Sequence, residues 1–149
     1  MRWLTTLLLT IFLIPSKQIK DKPDPCRYEE YQQKLELLTR IVRAECNPHS
    51  DRDKLFMVQL ILNREAHYGS VLAVLSAPRQ FQGYNNQRYN RELNDYDYHL
   101  IDSFLREGTK LHDYEYVLNP KISTDKAFKA FASKQRGEWV KNHWYFMER

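Results

Sequence analysis

The chain has no internal repeat and no low-complexity block, which excludes a stacked-repeat architecture and a tract of biased composition. It holds only two cysteines, too few for a disulfide-stapled scaffold. Its one long apolar run, residues 3–14, falls short of the roughly 17–25 residues that a helix needs to cross a bilayer. The five histidines show no ligand spacing with a carboxylate or thiol cluster, so the sequence predicts no metal site and no cofactor. No RNA- or DNA-binding signature accompanies the basic residues, and a nucleic-acid partner is not expected.

What is present bounds the chain as one folded domain. At 149 residues it can bury a core sufficient for independent folding, and 42% apolar with 13% aromatic residues excludes disorder beyond the ends. Net charge is +4 and the isoelectric point about 9.0. That balance suits an anionic partner such as a nucleic acid, a lipid surface or a wall polymer, and equally suits a soluble basic protein.

Met1 and Arg2 precede the leucine-rich run 3–14, and Pro15 ends it before a lysine-rich stretch. A positive start and a short apolar segment read as a secretion signal over residues 1–15. Ile14-Pro15-Ser16-Lys17 offers no small-x-small cleavage pattern, which leaves an uncleaved anchor and a buried N-terminal helix as the other readings. Residues 16–25 read as a linker, and the folded domain is expected over 26–149. Export would put it in the periplasm, the cell envelope or outside the cell, touching a membrane only through an uncleaved N-terminus. It is expected to act as a monomer.

The rest reads as mostly helix. Asp24-Pro25 starts a first helix, with proline at the first helical position, and Asn47-Pro48 stops it. Cys26 and Cys46 would then stand roughly 30 Å apart along a continuous helix. A disulfide needs Cα atoms within about 7 Å, so two free thiols are expected. Ser50 caps a second helix, apolar nearly all round, that ends at Gly69. Ser70 caps a short third helix before Pro78, and a polar loop runs over residues 79–94. A fourth helix covers 95–107, with Gly108 as its stop. Residues 114–118 have strand character. Ser123 or Thr124 caps a helix carrying Ala127, Phe128 and Phe131 that ends at Gly137, and residues 140–146 are extended and aromatic. The expected class is α+β: a mainly helical domain with a small late β-hairpin lobe.

One position stands out for chemistry. Tyr28, Tyr31, Leu35, Leu38 and Val42 recur every three or four residues and share a helix face, and the next step is Glu45. A glutamate that continues a core face is expected to be partly desolvated, which would raise its pKa toward general-acid use. A half-buried glutamate satisfied by a salt bridge fits the same pattern. Asp51, Asp53, Asp95 and Asp97 lack that apolar context and read as caps or solvated residues.

Four motifs in order carry a family resemblance: Arg43-Ala44-Glu45; Val58-Gln59-Leu60-Ile61-Leu62-Asn63-Arg64; Val74-Leu75 followed by Gln80-Phe81; and Asn142-His143-Trp144-Tyr145, preceded by Val117-Leu118-Asn119-Pro120. In this order the chain resembles the SleB-like cell wall hydrolases, which include spore-cortex-lytic enzymes, over roughly residues 35–146. It departs from them at Cys46, where alanine is frequent, in the turn Asn47-Pro48-His49-Ser50, and at Trp144.

The resemblance implies a peptidoglycan-cleaving muramidase with a lysozyme-like fold that acts on glycan strands. Glu45 would be the catalytic acid, serving a lytic transglycosylase without a second carboxylate. Gln80, Phe81, Asn119, His143 and Tyr145 would line the groove, although Phe81 and His143 also read as core residues. Asn63 and Arg64 are expected to hold loops. Two alternatives stay open: a wall peptidase or amidase using Cys46 and His143, and a non-catalytic wall-binding or virion protein of the same fold. A helix C-terminus disfavours a thiolate, which weighs against the first.

Overall fold

A computed structural model describes residues 24–46, 50–78, 81, 84, 89–90, 92–121 and 123–147. The proposed signal, nearly all of the linker, and Gln80 lie outside these residues. No described helix is long and apolar enough to cross a membrane.

Helix α1 spans Pro25–Cys46. Asp24 Oδ1 accepts the Cys26 amide at 3.1 Å, a side-chain cap just ahead of the proline. Its first turns are exposed, Tyr28 included, and burial begins at Leu35 and continues through Leu38, Ile41, Val42 and Cys46. The predicted stripe therefore holds from its middle onward. Helix α2, Asp51–Tyr68, starts where Ser50 accepts the Asp53 amide and stops at Gly69, which takes a left-handed φ of 84°. Helix α3, Val71–Ser76, is capped by Ser70. Helix α4, Asp95–Glu107, is capped by Asn94 and closed by Gly108 at φ 64°. These four helices bury a common core in which Leu38, Ile41, Val58, Leu60, Ile61, Val74 and Ile101 have no exposed surface.

Beyond α4 come strand β1, Tyr116–Leu118, helix α5, Lys126–Ala132, strand β2, Arg136–Val140, and strand β3, His143–Met147. They form an antiparallel sheet in the order β1-β3-β2. The sheet has three strands, one more than the expected hairpin. Central β3 pairs Tyr145 with Val117 on one side and with Glu138 on the other. Its side chains alternate between faces. Tyr145 packs into the helical core, whereas Phe146 packs with Leu118 and Ala132 in a second cluster beneath α5.

Two expectations are corrected here. Helix α5 is capped by Asp125, not Ser123 or Thr124, and ends at Ala132. Gly137 does not terminate a helix: it lies inside β2, opposite Phe146. A Cβ there would come 2.1 Å from the Tyr145 carbonyl oxygen and 2.9 Å from the Trp144 ring. Glycine thus marks a close backbone approach in the hairpin.

Asn63 and Arg64 act as the sequence suggested. Asn63 Nδ2 donates to the carbonyls of His112 and Tyr114, at 3.1 and 2.9 Å. Arg64 donates to the Glu115 carbonyl and sits between the rings of Phe81 and Tyr116. The end of α2 thereby fixes the segment that leads into β1.

Candidate active site

Glu45 is half-buried in the last turn of α1, at the edge of the buried face formed by Ile41, Val42 and Cys46. The next residue, Cys46, points inward and has no exposed surface. Both cysteines are free, as expected from the length of α1.

Around Cys46 the fold assembles a buried polar cluster that sequence spacing did not foreshadow. Asp53, in the first turn of α2, is fully buried. His143 Nδ1 lies 3.1 and 3.0 Å from the two Asp53 carboxylate oxygens. The Tyr145 hydroxyl donates to Asp53 Oδ1 at 2.8 Å and lies 3.2 Å from the Asp53 carbonyl. The Cys46 sulfur lies beside this pair. The donor atoms of Cys46, Asp53 and His143 lie within 4.8 Å of one another, close enough for one metal ion to touch all three.

The electrostatics follow from burial. Desolvation, with the negative charges of Asp53 and Glu45 close by, pushes the Cys46 thiol well above the ordinary cysteine range. Burial, with further contributions from Cys46 and Asp53, pushes the Tyr145 hydroxyl far up, so it donates as a neutral phenol. Tyr145 also packs edge-on against Phe56, with ring centroids 5.4 Å apart.

The reading of the aspartates is corrected in two places. Asp53 is neither a cap nor solvated: its amide is capped by Ser50, while its carboxylate holds His143 and Tyr145. Asp97 is buried too, paired with Lys54 at 2.7 Å between α4 and α2. The available signal was Asp53 itself, an acid on the same apolar helix face as Met57 and Ile61.

The other sequence candidates are scattered. Phe81 is buried against the helical core. His143 and Tyr145 are buried and bound to Asp53, because β3 turns that face toward α2 rather than toward solvent. Asn119 is half-buried and its side chain accepts the Lys121 amide at 3.2 Å. A cleft of about 360 Å³ lies on the opposite face of the sheet, lined by Leu118, Pro120, Lys129, Trp139 and Trp144 among others, and Glu45 does not line it.

A helical domain whose acid-bearing helix end packs against a small antiparallel sheet defines the architecture. More specifically, it is the fold of the SleB catalytic domain. The chain is similar to the catalytic domain of the Bacillus cereus SleB protein, with a TM-score of 0.65 and 18% identity, covering 78% of this chain and 91% of that one. It is similar to the same extent to the catalytic domain of the germination-specific lytic transglycosylase SleB from Bacillus anthracis, with a TM-score of 0.65 and 16% identity, covering 78% and 95%. No family model and no curated protein matches the sequence.

Proposed function

We propose that this chain is an exported peptidoglycan glycosidase of the lytic transglycosylase type, cutting between N-acetylmuramic acid and N-acetylglucosamine with Glu45 as its acid. The observation that supports this most is the half-buried carboxyl at the end of α1 in a SleB-type fold.

The chemistry needs one carboxyl in two states. Protonated Glu45 donates to the glycosidic oxygen as the C1–O bond breaks, giving an oxocarbenium-like sugar. The resulting carboxylate then takes the proton of the muramic 6-hydroxyl, whose oxygen closes on C1. The product is a 1,6-anhydro sugar, and Glu45 ends protonated again without a water. Asn119 and Gln80 are proposed to contact sugar amides and hydroxyls. His143 and Tyr145 are proposed as positioning residues, because each acts through Asp53 beside the end of α1.

The thiol alternative gains proximity, since the Cys46 sulfur and a His143 ring nitrogen lie within 4.8 Å of each other. It loses on chemistry: Cys46 is inaccessible, and its surroundings oppose the thiolate that a nucleophile needs.

Mass spectrometry of muropeptides released from purified sacculi tests the reading. Anhydro-muramyl ends are expected. Reducing ends would replace it with hydrolysis and a second carboxylate, and free stem peptides would move the cut to an amide bond.

A further inference from the structure

We propose that Cys46, Asp53 and His143 form a binding site for one transition-metal ion, zinc by the chemistry of the donors. The three come from the last residue of α1, the first turn of α2 and the first residue of β3. All are buried, and their ligand atoms lie within 4.8 Å of one another.

The spacing suits a tetrahedral ion. Two nitrogen or oxygen ligands at about 2.0–2.1 Å from one tetrahedral zinc stand about 3.3 Å apart, and a thiolate adds only a few tenths of an ångström. His143 Nδ1 and the Asp53 oxygens already stand 3.0–3.1 Å apart, so that pair needs only a small outward shift, and the Cys46 sulfur lies within 4.8 Å of both.

The donor set selects the metal. A thiolate with an imidazole suits zinc and its neighbours, whereas magnesium and calcium take oxygen shells. Tyr145 supplies the outer contact that such sites use: its hydroxyl fixes one Asp53 oxygen at 2.8 Å and orients the carboxylate. On binding, the Cys46 S–H bond breaks, a sulfur–metal bond forms and the thiol proton leaves to solvent. His143 ligates through an unprotonated Nδ1 with its proton on Nε2, and no electrons are exchanged. Thiolate and carboxylate together then balance the charge of the ion in a site without water-exposed counterions.

With three protein ligands, the fourth position is left to a water or another small donor. The ion would tie the end of α1 to two segments that are themselves 90 residues apart in sequence. It would hold the helix turn that carries Glu45, so its role is structural and does not depend on what Glu45 does.

The test is titration of the purified, chelator-treated full chain with Co²⁺, followed by displacement with Zn²⁺. One equivalent of Co²⁺ is expected to give a sulfur-to-cobalt charge-transfer band and intense tetrahedral visible bands, and Zn²⁺ to abolish both and raise the melting temperature. Cys46→Ser removes the charge-transfer band. Tyr145→Phe keeps the band and weakens the ion by roughly 10–100-fold. A folded wild-type chain that takes up no Co²⁺ at micromolar concentration, or a band that survives in Cys46→Ser, overturns the site and leaves a metal-free hydrogen-bonded hub. Should Cys46→Ser fail to fold, the wild-type spectrum alone decides. None of these readouts involves wall lysis, so the site and the proposed enzymology fail separately.

Discussion

The Tyr145 hydroxyl donates to the Asp53 carboxylate at 2.8 Å, with both side chains fully buried. This contact joins the central strand of the sheet to the first turn of α2. It lies beside Cys46, and so beside the helix end that carries Glu45.

Tyr145→Phe deletes the hydroxyl and keeps the ring. A buried carboxylate then loses a donor, at a cost of about 1–3 kcal/mol. Urea unfolding should show a lower midpoint at unchanged slope. A midpoint equal to wild type would mean that the contact contributes nothing to stability.

Glu45→Gln removes the proposed acid and keeps the size and shape of the side chain. Turbidity loss of sacculi should slow by roughly 10²–10⁴-fold. Lysis at the wild-type rate by the folded variant would remove Glu45 from the chemistry. Loss of lysis in Cys46→Ser but not in Glu45→Gln would revive the thiol reading.

Gly137→Ala should disrupt the hairpin. The added methyl meets the Tyr145 carbonyl at 2.1 Å and the Phe146 Cβ at 2.8 Å, both fixed by the β2–β3 ladder. Overpacking of this kind costs about 1–3 kcal/mol. Thermal unfolding checks it, with Glu138→Ala as a neighbouring control that leaves the approach intact.

His112 predicts a pH dependence. Its Nε2 donates to the Phe56 carbonyl at 3.0 Å while Nδ1 accepts the Tyr114 amide at 3.0 Å, which is the pattern of a neutral ring. Burial pulls its pKa below the ordinary histidine value of 6.5. The unfolded chain therefore takes up the proton first as pH falls. Stability should be full above about pH 6.5 and decline below it. Urea midpoints at successive pH values should show this decline, and His112→Gln should flatten it.

The helical half of the domain was legible in the sequence. Asp24-Pro25, Ser50 and Ser70 begin helices, and Gly69 and Gly108 end them, because caps and left-handed stops act on backbone groups within a turn of the signal. The alternation of buried and exposed residues in β3 was readable in part, since His143 and Tyr145 were singled out together. Its destination was left open between a groove lining and, for His143, a core position, and the sheet aims that face at α2.

Glu45 was singled out because its neighbours along α1 supply a periodic apolar context, which is local information. Asp53 was missed because α2 is apolar nearly all round, so Met57 and Ile61 on its side did not mark one face as the core. Its burial depends on His143 and Tyr145, about 90 residues away, which reach it only after β3 has docked on α2. The sequence by itself determined helices α1 to α4 and the isolation of the two thiols, set by short-range sterics and hydrogen bonding. Only the tertiary structure decided that a thiol, a carboxylate and an imidazole share one dry site, since that requires the hydrophobic core to bring distant segments together and exclude water between them.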